Sequence, residues 1–402
     1  MALMPVAEAL EKVLAGVEPL PFEAASLADA DGRVLASDLK ALRSQPPANV
    51  SAMDGFAVRG ADVASVPARL KVIGEVAAGR PFAGAIAAGQ AARIFTGGVL
   101  PPGADTVVIQ EVTERDGDFV VVTSATAQGR NVRPEGLDFK SGDVLLRRGH
   151  RLTSRSVALA AAMNHPTVPV HRRPKVALLA TGDELVAPGS ALAPGQIVYS
   201  NGFALAALIR GEGADLADLG IVGDHLGSTV AAISRGRRCG ADVLVTTGGA
   251  SVGEYDLVQQ ALASLGLELS FWKVALRPGK PLLHGRIADM RVLGVPGNPV
   301  SAYVCAFLFL VPLIRRLAGR SDLTPEPESA VLGVPLPDND ERADYLRATL
   351  EWRDGIRVAK PFPVQDSSML NPLANADCLL VREPFARAAA VGSPCTILKL
   401  PL

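Results

Sequence analysis

The sequence has few of the side chains that bind transition metals or form disulfides. Its five histidines form no HxH or HExxH pattern. Its four cysteines show no CxxC pair and no zinc-ligand spacing, so we expect reduced thiols that act mostly as small core residues. A zinc site and a Ser-His-Asp triad therefore have no support from the sequence.

Aromatic residues make up only 4% of the chain, whereas hydrophobic residues reach 49%. The core must therefore consist mainly of Ala, Val, Leu and Ile, a composition typical of α/β proteins. The length of 402 residues predicts about two to four domains.

Two nucleotide-binding motifs are also missing. No segment matches the GxxxxGK[ST] loop of ATPases, since RPGKP (277–281) ends in Pro, and none matches the GxGxxG fingerprint of dehydrogenases. Both classes of enzyme thus lose their usual support.

Charge and hydropathy give no support to a nucleic-acid partner, a membrane-surface role or a membrane span. Lys plus Arg (40) nearly balances Asp plus Glu (41), so no overall positive field attracts nucleic acid, and no polybasic amphipathic helix suits a membrane surface. The N-terminal segment contains Glu8, Glu11 and Lys12 and does not resemble a signal peptide. The longest apolar run, 302–314, is interrupted by Pro312 and is too short to span a bilayer. We expect a cytoplasmic protein.

Changes in pattern divide the chain into zones. Residues 1–45 and 141–171 predict a helical, linking domain. Residues 46–140 are rich in Gly, Pro and short Val/Ile runs and predict a small, mostly β domain. Residues 172–320 alternate between apolar strands and helices. Residues 321–402, with TPEPESA as a linker, predict a C-terminal β-barrel or sandwich.

Residues 172–320 show a βα rhythm. The strand KVALLATG (175–182) precedes a helix with Ser200 as N-cap, DVLVTTGG (242–249) precedes another helix, and MRVLGVPG runs into a long apolar helix. Such strands predict a mostly parallel sheet with helices on both faces, which is a three-layer α/β domain. Ligands bind such sheets beyond the carboxyl ends of the strands.

Gly-rich turns follow these strands at TGDEL (181–185), TTGGASVGEYD (246–256) and PGNPVS (296–301). Each places small residues and free backbone N–H groups at a strand end or helix start, which suits an anion such as phosphate or molybdate. A tight turn that requires Gly is the alternative for each. The candidate binding residues in these turns are Gly182, Asp183, Gly248, Gly249, Ser251, Pro296, Asn298, Pro299 and Ser301.

Charged residues lie on or near the same turns. The acidic ones are Asp183, Glu184, Asp224, Glu254 and Asp256. Carboxylates beside an anion would repel it unless a cation lies between them, and oxygen ligands of this kind suit Mg²⁺ with substrate phosphates. Helix capping or solvation is the alternative. Basic groups follow at Lys273, Arg277 and Lys280, for which a solvated surface is the alternative.

Two segments of the β zone are also candidates. Asp54 lies in NVSAMDGFAV (49–58) among small and apolar residues, and NVRPEGLDFKSGD (131–143) provides Arg133, Glu135 and Asp138. A turn aspartate and a structural Arg–Asp pair are the alternatives here.

A set of segments, in this order, resembles the molybdopterin molybdenumtransferases, the MoeA and gephyrin E-domain family, from about residue 5 to the C-terminus. The segments are SAMDGFAV, IFTGGVLPPGADTVV, NVRPEGLDFKSGDVLL, LLATGDELV, TTGGASVGEYD, FWKVALRPGKP and GVPGNPVSA. The resemblance implies an elongated, multi-domain subunit in a homodimer, with a molybdopterin-binding-like α/β domain. It places the active site between this domain of one subunit and the β domain of the other.

The resemblance also implies a reaction and partners. Adenylated molybdopterin and molybdate bind, AMP is lost with the help of Mg²⁺, and the dithiolene ligates molybdenum. A molybdopterin adenylyltransferase would act before this enzyme and cofactor-delivery proteins after it. No protein nucleophile is needed, since a molybdate oxygen can attack, so catalysis would depend on positioning and electrostatics.

Individual residues match the family's functional positions by resemblance. The positions for the oxyanion are Lys280, Pro281, Arg347 and Ser367, and those for phosphate or the pterin are Lys273 and Arg277. The positions tied to Mg²⁺ and the pyrophosphate are Ser251, Asp256 and Asp224, and Glu184 matches an acidic position important for activity. The β-domain wall of the cleft corresponds to Asp54, Thr96, Arg133 and Asp138. The catalytic candidates are Asp54, Thr96, Glu184, Asp224 and Asp256.

The chain departs from the family pattern at several positions. Arg277 stands where many members have Lys, which replaces a point charge by a planar fork. Asp366 stands where Gly is usual before Ser367 and places a negative charge near the oxyanion position. Asn371 and Pro372 replace small polar residues in the same loop.

Other functions stay open at this point. A non-catalytic pterin-binding or scaffold protein has the same fold, since fold alone does not fix function. A tungstate-preferring paralogue is nearly indistinguishable because the two oxyanions are almost isosteric. A generic phosphate-ester or nucleotide-binding enzyme would bind free ATP, whereas the insertase prefers the adenylated pterin.

Overall fold

A computed structural model of the chain describes residues 3–248 and 257–401. In residues 3–171 the helices are α1 (Val6–Leu14) and α2 (Ser154–Ala162), with 3₁₀ turns at Leu27–Asp29, Gly60–Val63 and Gln110–Val112. The strands are β1 (Phe22–Ser26), β2 (Leu39–Lys40), β3 (Val50–Ser51), β4 (Gly55–Val58), β5 (Ala68–Val76), β6 (Gln90–Ile94), β7 (Thr106–Ile109), β8 (Thr113–Asp116), β9 (Phe119–Val122), β10 (Val132–Arg133), β11 (Val144–Leu146) and β12 (Thr167–His171).

Short antiparallel pairs join the N-terminal residues to residues 132–171, namely β1–β12, β2–β11 and β3–β10. Helix α2 begins after Thr153, whose hydroxyl accepts a hydrogen bond from the Ser156 N–H and satisfies one of the free donors of the first turn. Aliphatic side chains, including Leu35, Leu152 and Met163, form the core beneath this helix.

A six-stranded mixed sheet in the order β7-β4-β6-β5-β9-β8 forms the predicted mostly β domain. Alternate side chains of its strands enter two small cores, one that contains Val58 and Leu70 and one that contains Ala57 and Ile94. Antiparallel pairing sets Gly55 opposite Ile94, so the start of β4 lies beside the end of β6.

The next region contains the predicted α/β domain. Its strands are β13 (Lys175–Thr181), β14 (Leu185–Val186), β15 (Ile197–Val198), β16 (Asp215–Val222), β17 (Val243–Thr247), β18 (Glu268–Trp272), β19 (Leu276–Arg277), β20 (Leu283–Ile287) and β21 (Met290–Val295). Its helices are α3 (Asn201–Gly211), α4 (Leu226–Arg238), α5 (Leu257–Ser264), α6 (Pro299–Cys305) and α7 (Val311–Leu317).

The central sheet has the order β16-β13-β17-β21-β20-β18. Its first four strands are parallel, as predicted, and β20 and β18 extend it as antiparallel strands. Side chains of β13 alternate between the faces: Val176 and Leu178 pack with α3, α6 and α7, whereas Ala177 and Leu179 pack with α4 and α5. Helix α1 also packs on the first face through Val13.

The predicted long apolar helix is confirmed and continues through Pro312, since residues 299–317 are continuous, with a π-helical turn at Ala306–Leu310. The prediction that the apolar run is too short for a membrane span was wrong for the helix, which extends beyond the run at both ends. Pro312 occupies the first turn of α7, where the altered hydrogen bonding of the wider turn tolerates its missing N–H. The 19-residue helix has the length and mean hydropathy (1.7) of a membrane span, but 83% of it is buried, as in a core helix.

The C-terminal strands are β22 (Pro327–Leu332), β23 (Ala343–Arg353), β24 (Ile356–Pro361), β25 (Cys378–Arg382) and β26 (Pro394–Lys399), with helix α8 at Leu370–Ala374. They pair in the order β23-β24-β22-β26-β25, and β25 returns to β23, which closes a five-stranded barrel. The segment predicted as a linker is wrong in part, since β22 begins at Pro327. Strand β19 of the α/β domain adds to the edge of this barrel at β23.

Candidate active site

A cavity of about 600 Å³ opens beyond the carboxyl ends of β13, β17 and β21, where parallel α/β sheets bind ligands. The predicted residues that line it are Glu184, Gly248, Pro281, Pro296, Asn298 and Pro299. Residues that the sequence reasoning missed also line it, namely Thr181, Leu185, Ile197, Val198, Tyr199, Ser200, Asn201, Thr247, Gly297 and Ser368. The lining therefore combines apolar side chains with hydroxyl, amide and carboxylate groups.

The turn after β13 is joined to the turn after β16. The Asp183 carboxylate accepts a hydrogen bond from the Asp224 N–H at 3.0 Å. Gly182 links the end of β13 to Asp183 and has φ 144°. A Cβ on Gly182 would lie 2.4 Å from a carboxylate oxygen of Glu184. Glycine is therefore required for Asp183 and Glu184 to emerge together at the sheet edge.

The described residues contain no group of three His, Cys, Asp or Glu side chains suited to a metal ion. The carboxylates of Asp183 and Asp224 still match the donors of a Mg²⁺ ion that one or two carboxylates and substrate phosphates hold. One Asp183 oxygen is used by the Asp224 N–H, which leaves the other oxygen and the exposed Asp224 carboxylate. The remaining predicted residues of this turn region, Gly249, Ser251 and Asp256, lie outside the described residues.

The ends of β17 and β21 are held together by α3. Asn201, in the first turn of α3, donates from its amide to the Gly297 carbonyl at 2.7 Å and to the Thr247 hydroxyl at 3.2 Å. Gly248 has φ 90°, and a Cβ there would lie 2.4 Å from the Thr181 carbonyl oxygen. Ser200 stands at the predicted N-cap position, but its hydroxyl makes no capping bond and lines the cavity instead.

Tyr199 is the largest of the cavity-lining residues that were not predicted from the sequence. It is 9% exposed, and burial raises the pKa of its hydroxyl to about 12. The group therefore stays protonated at neutral pH. Its oxygen lies against the first turn of α3, since a Cβ on Gly202 would be 1.8 Å from it. The sequence signal that could have identified Tyr199 is its position with Ser200 between the short apolar strand β15 and the start of α3.

The turn before α6 corrects a prediction. The sequence suggested free backbone N–H groups here, but Pro299 has no N–H and the Val300 N–H donates to the Ser367 carbonyl at 3.0 Å. Asn298, at the N-cap, makes no capping bond and donates instead from its amide to the Ser367 hydroxyl at 2.8 Å. Ser301 is buried within α6. The helix start thus binds a loop of the C-terminal barrel.

Arg347 holds the backbone of that barrel loop, which contains Gln365, Asp366 and Ser367. The side chain is 0% exposed and donates to the carbonyls of Gln365 (3.3 Å) and Asp366 (2.9 Å). Burial lowers the pKa of the Arg347 guanidinium, and its Nε has no partner among the described residues. Arg347 therefore supports the backbone before Ser367, and its guanidinium does not line the cavity.

The carboxylate of Asp366, a departure from the family pattern, is occupied locally. It accepts from the Ser368 hydroxyl at 2.6 Å and from the Ser368 N–H at 2.8 Å, and these bonds lower the pKa of Asp366. The Ser367 hydroxyl has the opposite role, because it accepts from Asn298 and keeps its own proton free to donate.

The basic segment after β18 divides into three environments. Lys273 has φ 77°, and its ammonium group lies 4.3 Å from the centre of the Trp272 ring. Arg277 bonds to Asp344 of the barrel, whose hydrogen bonds raise the pKa of the guanidinium. Lys280 is exposed beside Pro281, which lines the cavity.

The β domain places its candidates elsewhere. Asp54 accepts from the Thr96 N–H at 2.7 Å and from the Thr96 hydroxyl at 2.8 Å, and the backbone bond is the main cause of the lowered pKa of Asp54. Pairing of β4 with β6 produces this contact, and neither residue lines the strand-end cavity. Arg133 and Asp138 are exposed, and no ion pair joins them in the described part of the chain. Arg93, which sequence reasoning missed, adds positive charge near Asp54.

Three family models match the chain in sequence order. They are the MoeA N-terminal region (domain I and II) over residues 4–164, the probable molybdopterin binding domain over 177–316, and the MoeA C-terminal region (domain IV) over 329–400. Together they cover most of the chain.

Relatives match over nearly the full length. The molybdopterin molybdenumtransferase of Nostoc sp. is 38% identical over 93% of this chain and 87% of its own, and that of Haemophilus influenzae is 33% identical over 95% of both. A crystal structure of the molybdopterin biosynthesis MoeA protein from Pyrococcus horikoshii superposes with a TM-score of 0.85 at 31% identity, over 99% of both chains. The chain belongs to the molybdopterin molybdenumtransferase family, whose members are transferases of molybdenum cofactor biosynthesis.

Proposed function

We propose that this chain inserts molybdenum into adenylated molybdopterin, with molybdate as the second substrate, and releases AMP in a Mg²⁺-dependent reaction. The main support is the strand-end cavity, which is lined by the Glu184 carboxylate, the glycine turn at Gly248 and Ser368 of the barrel loop. Its volume of about 600 Å³ is within the range of small-molecule sites.

The oxyanion would bind where the barrel loop meets α6. Molybdate is a tetrahedral dianion and needs donors or positive charge. The Ser367 hydroxyl has a free proton because it accepts from Asn298, and Lys280 lies beside the cavity. Repulsion by Asp366 is reduced because Ser368 donates two hydrogen bonds to that carboxylate.

The pyrophosphate would lie at the turns after β13 and β16. Asp183 and Asp224 would hold Mg²⁺ there, together with Asp256. When bound, the ion neutralises phosphate charge and makes AMP a better leaving group. Glu184 lines the cavity and orients groups near the reacting end, and the Tyr199 hydroxyl donates to a substrate acceptor. The protein contributes positioning and fixed dipoles rather than a nucleophile.

We further propose a homodimer with composite sites. Asp54 and Thr96 form a preorganised pair but do not line the cavity of their own chain, which supports completion of each cavity by the β domain of a second subunit. The substrate would come from a pterin adenylyltransferase in the cytoplasm, and the product would pass to cofactor-delivery proteins.

The direct test is to incubate the protein with adenylated molybdopterin, Mg²⁺ and molybdate, and to measure AMP release by chromatography. We expect molybdate-stimulated release that is lost with a chelator and in Glu184→Gln, but kept in Glu114→Gln, which changes an exposed carboxylate of β8. Equal release without molybdate would mean a hydrolase, and binding without release would mean a scaffold. A parallel titration with tungstate tests the alternative substrate.

A mixing experiment tests the composite site. Asp54→Asn and Glu184→Gln should each be inactive alone. In a mixed dimer one site would carry both changes and the other neither, so random subunit exchange should restore about a quarter of wild-type activity. No recovery despite proven exchange would contradict a site shared between subunits.

A further inference from the structure

Among the described residues, the side-chain partners of Arg277 are Asp344, Asp340 and Asn339, which belong to the barrel region. The Arg277 Nε donates to Asp344 at 2.5 Å and a second nitrogen also bonds to Asp344. The remaining bonds reach Asp340 at 2.9 Å and the Asn339 side-chain oxygen at 2.9 Å. A planar guanidinium makes such a forked contact, whereas an ammonium group does not.

The partners of Arg277 are themselves held in place. Asp344 is 6% exposed and lies on β23. The Asn339 amide donates to the carbonyls of Arg342, Arg382 and Glu383, so its oxygen can only face Arg277. The barrel residues that receive Arg277 are therefore also held by contacts of their own.

The backbone follows the same path as the side chain. Strand β19 pairs with β23 in parallel, with Arg277 opposite Asp344, and the Ala343 N–H donates to the Ala275 carbonyl at 2.9 Å. Two residues later Gly279 has φ 125°, and a Cβ there would lie 2.5 Å from the Cys305 sulfur of α6. The basic segment is thus fixed between the barrel and α6 just before Lys280.

The direction of the side chain differs from the role suggested by resemblance, which is contact with phosphate or the pterin. Arg277 does not line the strand-end cavity. It lines a separate cavity of about 580 Å³, whose walls include Asn339, Asp344 and Phe362 of the barrel region. A guanidinium that faces this second cavity and is bonded to two carboxylates is not placed to contact a phosphate, a pterin or an oxyanion in the first.

We propose that Arg277 is a positioning residue: it joins the basic segment to the barrel so that Lys280 and Ser367 reach the oxyanion from fixed positions. This inference rests on the proposed molybdate insertion. It assigns to Arg277 a structural contact with Asp344 in place of a contact with substrate.

A double-mutant cycle with Arg277→Gln and Asp344→Asn tests the proposal. Each variant should raise KM for molybdate by a similar factor, about tenfold, and the double variant should do no worse, since both changes remove one interaction. The kcat for AMP release should change less, because groups at the reacting end are untouched. Arg277→Lys should recover only part of the loss.

Arg357→Gln is the matched control, because Arg357 pairs with Glu328 on the same barrel away from the cavity. It should lower Tm without a change in KM. A raised KM in Arg277→Gln but not in Asp344→Asn would overturn the proposal in favour of direct oxyanion contact, and an unchanged KM in both would also overturn it. Asp340→Asn, on an exposed partner, provides a milder variant if Asp344→Asn fails to fold.

An experiment can distinguish a failure of the proposed reaction from a failure of the role proposed for Arg277. If the wild-type chain shows no molybdate-stimulated AMP release, the proposed function fails. Coupling between positions 277 and 344 in Tm and in molybdate binding measured by calorimetry still reports on the contact. Additive effects in both measurements would overturn it.

Discussion

The α/β sheet and the C-terminal barrel both supply groups to the strand-end cavity, but they hold them differently. On the sheet side, Glu184, Gly248 and Asn298 each lie within three residues of the end of a buried parallel strand. Hydrogen-bonded strands bring these positions to one edge, so each group is placed by a few residues of local sequence.

On the barrel side, the serine loop depends on distant partners. Arg347 supports its backbone from β23, and Asn298 of the α/β domain bonds Ser367 across 69 positions of sequence. Arg277 and Asp344, which join the two regions, are 67 positions apart. A sheet edge therefore places groups through its hydrogen-bonded strands, whereas this loop depends on polar contacts with residues distant in sequence.

Removal of Arg347 should have the largest effect on this difference. Arg347→Ala leaves the carbonyls of Gln365 and Asp366 without a donor and opens a buried space, so we expect the free energy of unfolding to fall by about 3 kcal/mol. Urea denaturation measures this. Arg353→Ala changes an exposed arginine of the same strand and should stay within about 0.5 kcal/mol. Similar losses in both variants would contradict the supporting role.

The sheet side can be perturbed through one helix. In Gly202→Ala the new Cβ would lie 1.8 Å from the Tyr199 hydroxyl oxygen, so Tyr199 must move, at a cost of about 1–3 kcal/mol. Gly211→Ala, at the other end of α3, meets nothing within 4 Å and should stabilise by about 0.5 kcal/mol. Thermal unfolding of both variants compares them. A stable Gly202→Ala with native Tyr199 fluorescence would show that the wall tolerates the methyl group.

The contact between the two regions should have an intermediate effect. Asn298→Ala removes the hydrogen bond to the Ser367 hydroxyl, and we expect a loss of about 1 kcal/mol. Ser367→Ala should cost a similar amount, and the double variant should cost little more than either one. Urea denaturation of all three variants gives the coupling. Fully additive losses would mean that the two side chains act independently.

The sequence predicted the sheet side better than the barrel side for a physical reason. Period-two burial and helix-length spacing are local, so the strand that ends at Thr181 and the turn at Gly182 were accessible. Two antiparallel strands, β18 and β20, were not predicted. They lie on either side of the proline-rich basic segment, which was interpreted only as a source of charge. The closed barrel was predicted only as a barrel or sandwich, since closure depends on β23–β25 pairing between distant residues.

Candidate residues followed the same rule. Glu184 and Asn298, which were chosen from their strand ends, line the cavity, whereas the resemblance named Asp54 and Thr96 without predicting that they bond to each other. Tyr199 was missed because its neighbours gave only a weak local signal. The partners of Arg277 were inaccessible, since no local pattern links a strand edge at 277 to a carboxylate at 344.

The smallest expected effect compares two carboxylates whose pKa values are lowered by different groups. For Asp366 the main cause is the Ser368 hydroxyl, whereas for Asp54 it is the Thr96 backbone N–H. Ser368→Ala should therefore raise the pKa of Asp366 further than Thr96→Val raises that of Asp54, as measured by carboxyl NMR titration. Since both folded-state pKa values are depressed, the stabilisation is present above the ordinary pKa and is lost as pH falls through the folded value. The reverse order of shifts would mean that the Ser368 N–H, rather than the Ser368 hydroxyl, is the main group that holds the Asp366 carboxylate.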